Sequence, residues 1–475
     1  RSWLRCRRKA WLDRHGNPAE RRWTAHRNLL LDDQQRSFVA LIPRKPGHGM
    51  AACAAGADAV VGLRLKGLGP SGEPLEAHPP LLRRVKGQSR WGDFAYQPVL
   101  ARQGRRTTRE HQLPLALMAL LLEQHQQGAV PSMLVLGGGG RRLEQERIHF
   151  SNGLRKQLAD GLRKLRADLA RPVPPPLAAD RRKCSLCSWR MACNAVAAEE
   201  GHLSEVSGIG AKRREMLLEL GIGGLSDLAA ADPLQLAERL KRFGDQHGEV
   251  AESLVAQAKA QRDGRVERLD DAPALPELQA CPGVLLYDIE SDPDARHDFL
   301  HGFLVLPKTK SGDWDLASAA YHPILTLAEH GEPRCWVRLQ RLLNHYQHWP
   351  ILHYGETESL ALRRLAERQG AGEAEVMQLR HRLVDVHARV RRHWRLPLAS
   401  YGLKAVAAWQ GFHWSQAGVD GARALLWWRQ WQGDGPHRRG NRHGLRWIFT
   451  YNRDDCRATW VVAAWLLQQD QSPGS

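Results

Sequence analysis

In LLYDIESDPDARHDFLHGFLVL (285–306) an apolar run ends in two carboxylates one residue apart, Asp288 and Glu290, and a second apolar run follows closely. Side chains alternate faces along a strand, so these two acids share a face. Carboxylates held together repel, and burial raises that cost unless a cation neutralises them. Magnesium or manganese is the hard divalent cation that oxygen ligands suit. Surface strands also carry such pairs, so the remaining acids matter. Tyr451 and Asp455 in YNRDD stand at i and i+4, one above the other on a helix. Asp454 is turned by about 100° from Asp455 and is set aside. HYGETES places Glu356 and Glu358 where a strand hands over to a helix. Asp385 in LVDVH reads as a supporting acid or as a cap. Lys404 in SYGLKA reads as a phosphate contact or a surface lysine.

The elements expected to position them alternate between types. GVLLYDIE (283–290) and DFLHGFLVLP (298–307) predict paired strands, and PILHYG (350–355) another. ETESLALRRLAERQG (356–370) predicts a helix ending at Gly370, and the chain closes on a long helix within 445–469. A hairpin followed by strand–helix units argues a mixed α/β domain. ALLWWRQW (424–431) puts Trp427, Trp428 and Trp431 on one helical face, as core packing.

Acids on a first strand, at a mid-domain helix start and on a last helix resemble the DEDD exonuclease superfamily on an RNase H-like fold. The Tyr-x-x-x-Asp ending resembles its tyrosine-type branch. HYGETES, VDVHARVRRHWRLPLASYGLKAVAAWQGFHW and YNRDDCRATW are further similar to the RNase H-like domain of a RecB-like putative nuclease family, over roughly residues 280–470. The resemblance implies that Asp288, Glu290, Glu358 and Asp455 hold magnesium or manganese and that Tyr451 orients the attacking water. Glu358 departs from the family pattern, which has an aspartate at the middle motif, and Glu356 competes for the place.

KCSLCSWRMAC spaces Cys184, Cys187 and Cys193 as Cys-x2-Cys-x5-Cys, three soft ligands in need of a fourth. Zinc could take His202, and an iron–sulfur cluster could take a distant cysteine, for which Cys6 is the candidate. An early cysteine followed by a late trio resembles the cluster-bearing RecB-like nucleases, including those of CRISPR adaptation. That resemblance implies a [4Fe–4S] cluster on Cys6, Cys184, Cys187 and Cys193, with zinc the alternative. Cys53, Cys281, Cys335 and Cys456 read as packing residues. A RecB-like nuclease site needs an Asp, an acid-x-Lys and a Gln-x-x-x-Tyr. Here Leu100-Ala101-Arg102 stands at the second place and Ala116 at the tyrosine after Gln112, leaving Asp93 alone. The N-terminal site is expected to be degenerate.

Proline-rich RPVPPPLAAD (171–180) and polar RDGRVERLDDAPALPELQACPG (262–283) break the chain. The expected organisation is a multidomain α/β protein: a RecB-like, restriction-endonuclease-type core with the cysteine cluster (1–200), a small helical region (201–270) and the RNase H-like domain (280–475). In the helical region SGIGAKRR resembles a helix-hairpin-helix, with Lys212 and Arg213 beside the glycine turn as phosphate contacts.

Of the 475 residues, 69 are Lys or Arg against 51 Asp or Glu, a net charge of +18 that favours a polyanionic partner. The excess clusters at 83–90, 101–106 and 436–446, the last including Arg438 and Arg439. Nucleic acid is the expected partner, DNA in preference to RNA, and a helicase or repair complex could recruit the protein. No run of about 18 apolar residues is present to span a bilayer. Eight cysteines exclude a secreted disulfide scaffold, and a cytoplasmic, reducing setting is expected. The chain opens at Arg1, not methionine, so an upstream segment is expected. The resemblances imply a metal-dependent 3′→5′ exonuclease; the alternatives are a dual nuclease and a retired binding scaffold.

Overall fold

The computed structural model describes residues 1–42, 45–102, 106–137, 143–179, 181–293, 297–327, 330–432 and 442–471. The chain divides into two compact units, residues 1–178 with 182–193, and residues 179–181 with 194–475.

The first unit is built on a sheet of β1 (Gly47–His48), β2 (Ala59–Val61), β3 (Leu81–Ser89), β4 (Gly92–Arg102), β5 (Met133–Gly137) and β6 (Glu144–Ile148), in that spatial order. Three helices matter below: α1 (Arg7–His15), α2 (Arg109–Gln126) and α3 (Asn152–Leu169). The apolar face of α2 buries Leu115, Ala119 and Leu122 against Leu82, Tyr96 and Leu100 of the sheet. Helix α4 (Arg190–Glu199) follows the cysteine-bearing turn.

The second unit begins with a helical module. A single 3-10 turn (Leu203–Glu205) stands where a first hairpin helix is expected. Gly208, at φ 89°, then turns the chain into α5 (Ala211–Glu219), and α6 (Ala251–Asp263) closes the module. Its own small core joins Val206, Ile209 and Leu217 to Leu254 and Val255.

The remainder is a mixed sheet of β7 (Gly283–Asp292), β8 (His297–Pro307), β9 (Ala320–Leu325), β10 (Ile351–His353) and β11 (Leu383–Asp385). Its spatial order among the described residues is β9-β8-β7-β10-β11. The β7–β8 and β8–β9 pairs are antiparallel, and β7–β10 and β10–β11 are parallel. Strand β7 is central, so both its faces are covered and it reads as a continuous apolar run. Val284 and Leu286 enter one core, Leu285 and Tyr287 the other. The side-chain period of two therefore sends Asp288 and Glu290 to the Val284 face.

That face is covered by the long helix α11 (Arg442–Gln471), whose Cys456, Ala458 and Val462 share the core of Val284 and Leu286. Between β10 and α7 (Glu356–Arg368), Gly355 adopts φ 110°, a turn that a side chain would strain. Helix α8 (Val386–His393) is N-capped by Asp385, which accepts from Ala388 N, so the cap reading of Asp385 is the one the backbone uses. Helices α9 (Leu403–Trp409) and α10 (Gly421–Gln432) complete the site wall. In α10, Trp428 is buried, stacking on Phe299 with centroids 4.5 Å apart and on Trp431 at 5.2 Å. Trp427 is also buried and packs on Trp447, at 5.3 Å.

The end of β7 is tied to α10 by an ion pair in which Arg429 donates to both oxygens of Asp292, at 2.8 and 2.7 Å. Both side chains are under a tenth exposed, 8 % and 9 %. Removing one partner of such a pair leaves an uncompensated buried charge. Arg429→Met is expected to destabilise this unit by about 3–5 kcal/mol in urea denaturation, and adding Asp292→Leu should recover most of the loss.

Candidate active site

Asp288, Glu290 and Asp455 each present a carboxylate oxygen, and the three oxygens lie within 4.8 Å of one another. Strand register explains the first two. Asp288 stands opposite Gly302 and Glu290 opposite Leu300, and the pairing shifts just after Glu290. Such an irregularity increases local twist at a strand end and re-aims the side chains there. Asp455 reaches the same point from α11, one helical turn after Tyr451.

Burial pushes the carboxyls of Asp288 and Glu290 well above their ordinary range, and the Asp455 charge raises both further. Asp455 is pushed up to about 6, first by burial. It is pulled back by the Trp414 indole, which donates to its Oδ1 at 2.6 Å, by the Lys404 ammonium and by a hydrogen bond from Tyr451. Tyr451 is 5 % exposed, and burial beside Asp455, Glu290 and Asp288 raises its phenol far above the ordinary value. It remains protonated across the physiological range.

Glu358 is half-buried at the first turn of α7, and its Oε2 is buried without a hydrogen-bond partner. Burial pushes it up to about 7, and the charges of Asp385 and Asp455 add to that. Glu356 is exposed, so of the two glutamates Glu358 is the one that feels the centre. A set of facing, buried carboxylates with raised pKa values and an orphaned Oε2 is the donor set that a divalent cation neutralises, and the residues fit such an ion. Lys404 Nζ donates to Val419 O at 2.5 Å and lies 5.0 Å from the Tyr451 ring, lowering the Glu290 and Asp455 carboxyls. Asp454 is buried and turned to Ser415, accepting from its N at 2.8 Å.

Residues 285–467 match the family model RNase_H_2 of the RNase H superfamily. This RNase H-like domain holds every acid of the centre. No curated protein and no solved structure matches the chain. A nuclease-type activity follows from the domain, and nucleic acid is its substrate class. No helix among the described residues is long and apolar enough to cross a membrane.

Several supporting residues carry no signal in the sequence. Asn452 is fully buried, donates from Nδ2 to Asp288 Oδ2 at 2.7 Å, and accepts from the Tyr321 hydroxyl at 2.8 Å. Gly302 exists in register with Asp288 because a Cβ there would fall 1.6 Å from Asn452 Oδ1. Only the spacing of Asn452 to Asp455, i to i+3 on a helix, could have hinted at its role.

The other candidate residues lie elsewhere. Lys212 is exposed on α5, and Arg213 donates to Gly208 O. Arg438 and Arg439 fall outside the described residues. In the first unit, Cys6 N-caps α1, its sulfur accepting from Lys9 N at 3.4 Å. Cys6, Cys184, Cys187 and Cys193 are all half-buried. The Cys193 thiol is raised by burial and feels Arg8, Cys187 and Cys6. Among the described residues no three of these sulfurs come within 4.8 Å of one another. His202, in the second unit, spends its Nδ1 on Ser204, and burial lowers it to about 4.

Asp93 accepts from Gln88 Nε2 at 3.0 Å at the β3–β4 turn. It stands on the same strand as Arg102, nine residues or about 30 Å of strand away. Arg102 instead pairs with Glu144 at 2.7 Å.

Two expectations follow. Gly302→Ala should cost roughly 1–3 kcal/mol through overpacking and weaken Mn²⁺ binding measured by titration calorimetry. Adding Asn452→Ala should restore stability but not metal affinity. The second concerns pH in chelator. Glu358 has a folded value near 7 against an ordinary 4.5. Its protonated form therefore favours the fold, and that contribution is lost as pH rises through about 7. The stability of wild type relative to Glu358→Gln should fall between about pH 4.5 and about pH 7, and saturating Mn²⁺ should reverse the trend.

Proposed function

We propose that the chain is a metal-dependent 3′→5′ exonuclease working from its RNase H-like domain. The observation that carries this reading is the meeting of Asp288, Glu290 and Asp455 within 4.8 Å, with Tyr451 hydrogen-bonded to Asp455. Asp288, Glu290, Asp455 and, from α7, Glu358 hold two Mg²⁺ or Mn²⁺ ions. Divalent cations there supply Lewis acidity, lowering the pKa of water and offsetting charge on the departing oxygen. The Tyr451 phenol stays protonated, so it orients the attacking water by hydrogen bonding and does not act as a base. Lys404, fixed at the rim by Val419 O, meets the scissile phosphate. Water attacks phosphorus, the bond from phosphorus to the penultimate 3′ oxygen breaks, and a nucleoside 5′-monophosphate leaves behind a new 3′ hydroxyl. The longer Glu358 side chain reaches the centre from further away than an aspartate would.

The N-terminal unit serves as a nucleic-acid grip with a degenerate RecB-like centre. Its Cys6, Cys184, Cys187 and Cys193 hold a [4Fe–4S] cluster, zinc being the alternative. Arg8 beside Cys193 offsets part of the burial that raises this thiol. The helical module, with Lys212 and Arg213 at its glycine turn, adds phosphate contacts. DNA is the favoured substrate, the setting is cytoplasmic, and a helicase or repair assembly is the favoured partner class.

The test is digestion of 5′-labelled single strands, DNA and RNA in parallel, with Mn²⁺. Wild type should give a ladder shrinking from the 3′ end, and Asp288→Asn should lose at least about a hundredfold in rate, a transition-state loss near 3 kcal/mol. Internal cuts surviving in Asp288→Asn would place a working centre in the first unit. No cutting by wild type or by Glu358→Asp would leave a binding scaffold.

A further inference from the structure

Two cavities lie side by side in the second unit, where the helical module meets α8. One, of about 330 Å³, is lined by Ser204, Ser207 and Gly208 of the module and by His387, Arg391 and Ser400 across from them. The other, of about 250 Å³, is lined by Arg213 and Ser253 and, on the opposite wall, by Arg391 and Arg395. Ser207, Gly208, Arg391 and Tyr401 line both, so they form one basin divided at Arg391. Among the described residues no carboxylate lines either part.

The arginines around α8 differ in how they are satisfied. Arg389 pairs with Glu277, Arg392 with Asp270 and Arg395 with Glu267. Arg391 is exposed and makes no hydrogen bond or ion pair among the described residues. A water-filled gap between packed modules would not need its one open cation on the dividing wall. The opposite wall is prepared as well, since Arg213 is anchored on Gly208 O and Gln257 fastens α6 to Leu396 O at 2.9 Å. Guanidinium groups and serine hydroxyls without a competing carboxylate are the chemistry that recognises phosphate oxygens.

The basin also stands in a definite relation to the acidic centre. Asp385, the cap of α8, accepts from Gly355 N at 3.0 Å, and Gly355 opens the turn that carries Glu358. Arg391 lies six residues further along, about 9 Å of helix axis. At the duplex spacing of roughly 3.4 Å per nucleotide, that span from the Asp385 cap is about two or three nucleotides.

Resting on the nuclease reading of the RNase H-like domain, we propose that the basin centred on Arg391 is a phosphodiester-binding groove, walled by the helical module and α8, that grips the substrate strand a few nucleotides from the bond to be cut. Arg391 is the open cation, Arg213 and Arg395 flank it, and Ser207 and Ser400 supply hydroxyl donors.

The test separates binding from chemistry. Fluorescence anisotropy of a labelled single-stranded oligonucleotide, in chelator and over a series of salt concentrations, is compared for wild type, Arg391→Ala, Arg391→Glu and the paired-arginine control Arg392→Ala, with circular dichroism to verify folding. Arg391→Glu should weaken binding about tenfold or more at low salt. Arg391→Ala should lower the slope of log affinity against log salt by about one. The control should bind as wild type. Unchanged affinity and slope in both Arg391 variants would overturn the groove. So would Arg391-dependent binding of inorganic phosphate or a nucleoside monophosphate, measured by calorimetry, with oligonucleotide binding indifferent to the substitution. Arg391-dependent strand binding in a protein that never cleaves with Mn²⁺ upholds the groove and removes the exonuclease reading; Asp288-dependent cleavage with Arg391-indifferent binding does the reverse.

Discussion

Three carboxylates, Asp288, Glu290 and Asp455, face one another inside the RNase H-like domain, and their mutual repulsion is the constraint around which that site is arranged. Burial alone raises Asp288, Glu290 and Asp455 above their ordinary range, and proximity raises Asp288 and Glu290 further. The fold meets this with fixed donors: the Asn452 amide on Asp288, the Trp414 indole and Tyr451 phenol on Asp455, and the Lys404 ammonium nearby. These hold the oxygens in place without neutralising them all. What remains is a set of buried oxygens that a divalent cation could neutralise, with a gain in stability on binding.

The same constraint explains features that look unrelated. Gly302 is small because Asn452 must press against β8 to reach Asp288. The Arg429–Asp292 pair pins the end of β7, so the strand carrying two acids is held at both faces and at its tip. The α11 helix must be long and apolar along one side, since it both covers the sheet and delivers Tyr451, Asn452 and Asp455 to one point. Binding surfaces then lie outside this rigid core. The α8 face is an example, where three arginines are satisfied locally and one is left open.

In the first unit Asp93 and residues 100–102 are near in sequence and stand toward opposite ends of one strand. The cysteine trio, by contrast, does share a unit with Cys6, which is distant from it in sequence yet acts on Cys193.

The sequence by itself determined the strand pair at 283–307, the acids Asp288 and Glu290 on one face, the helix-borne Tyr451 and Asp455, and the basic balance. Each follows from local rules, a period of two in strands and of 3.6 in helices, that need no distant contact. It left open the choice between Glu356 and Glu358, the roles of Asn452, Trp414 and Gly302, and the open state of Arg391. Those depend on which residues from distant segments share a register or a helix face. Only the tertiary structure decided them, because the free energy of a buried polar group is set by the partners that packing brings to it, and chain position does not name those partners.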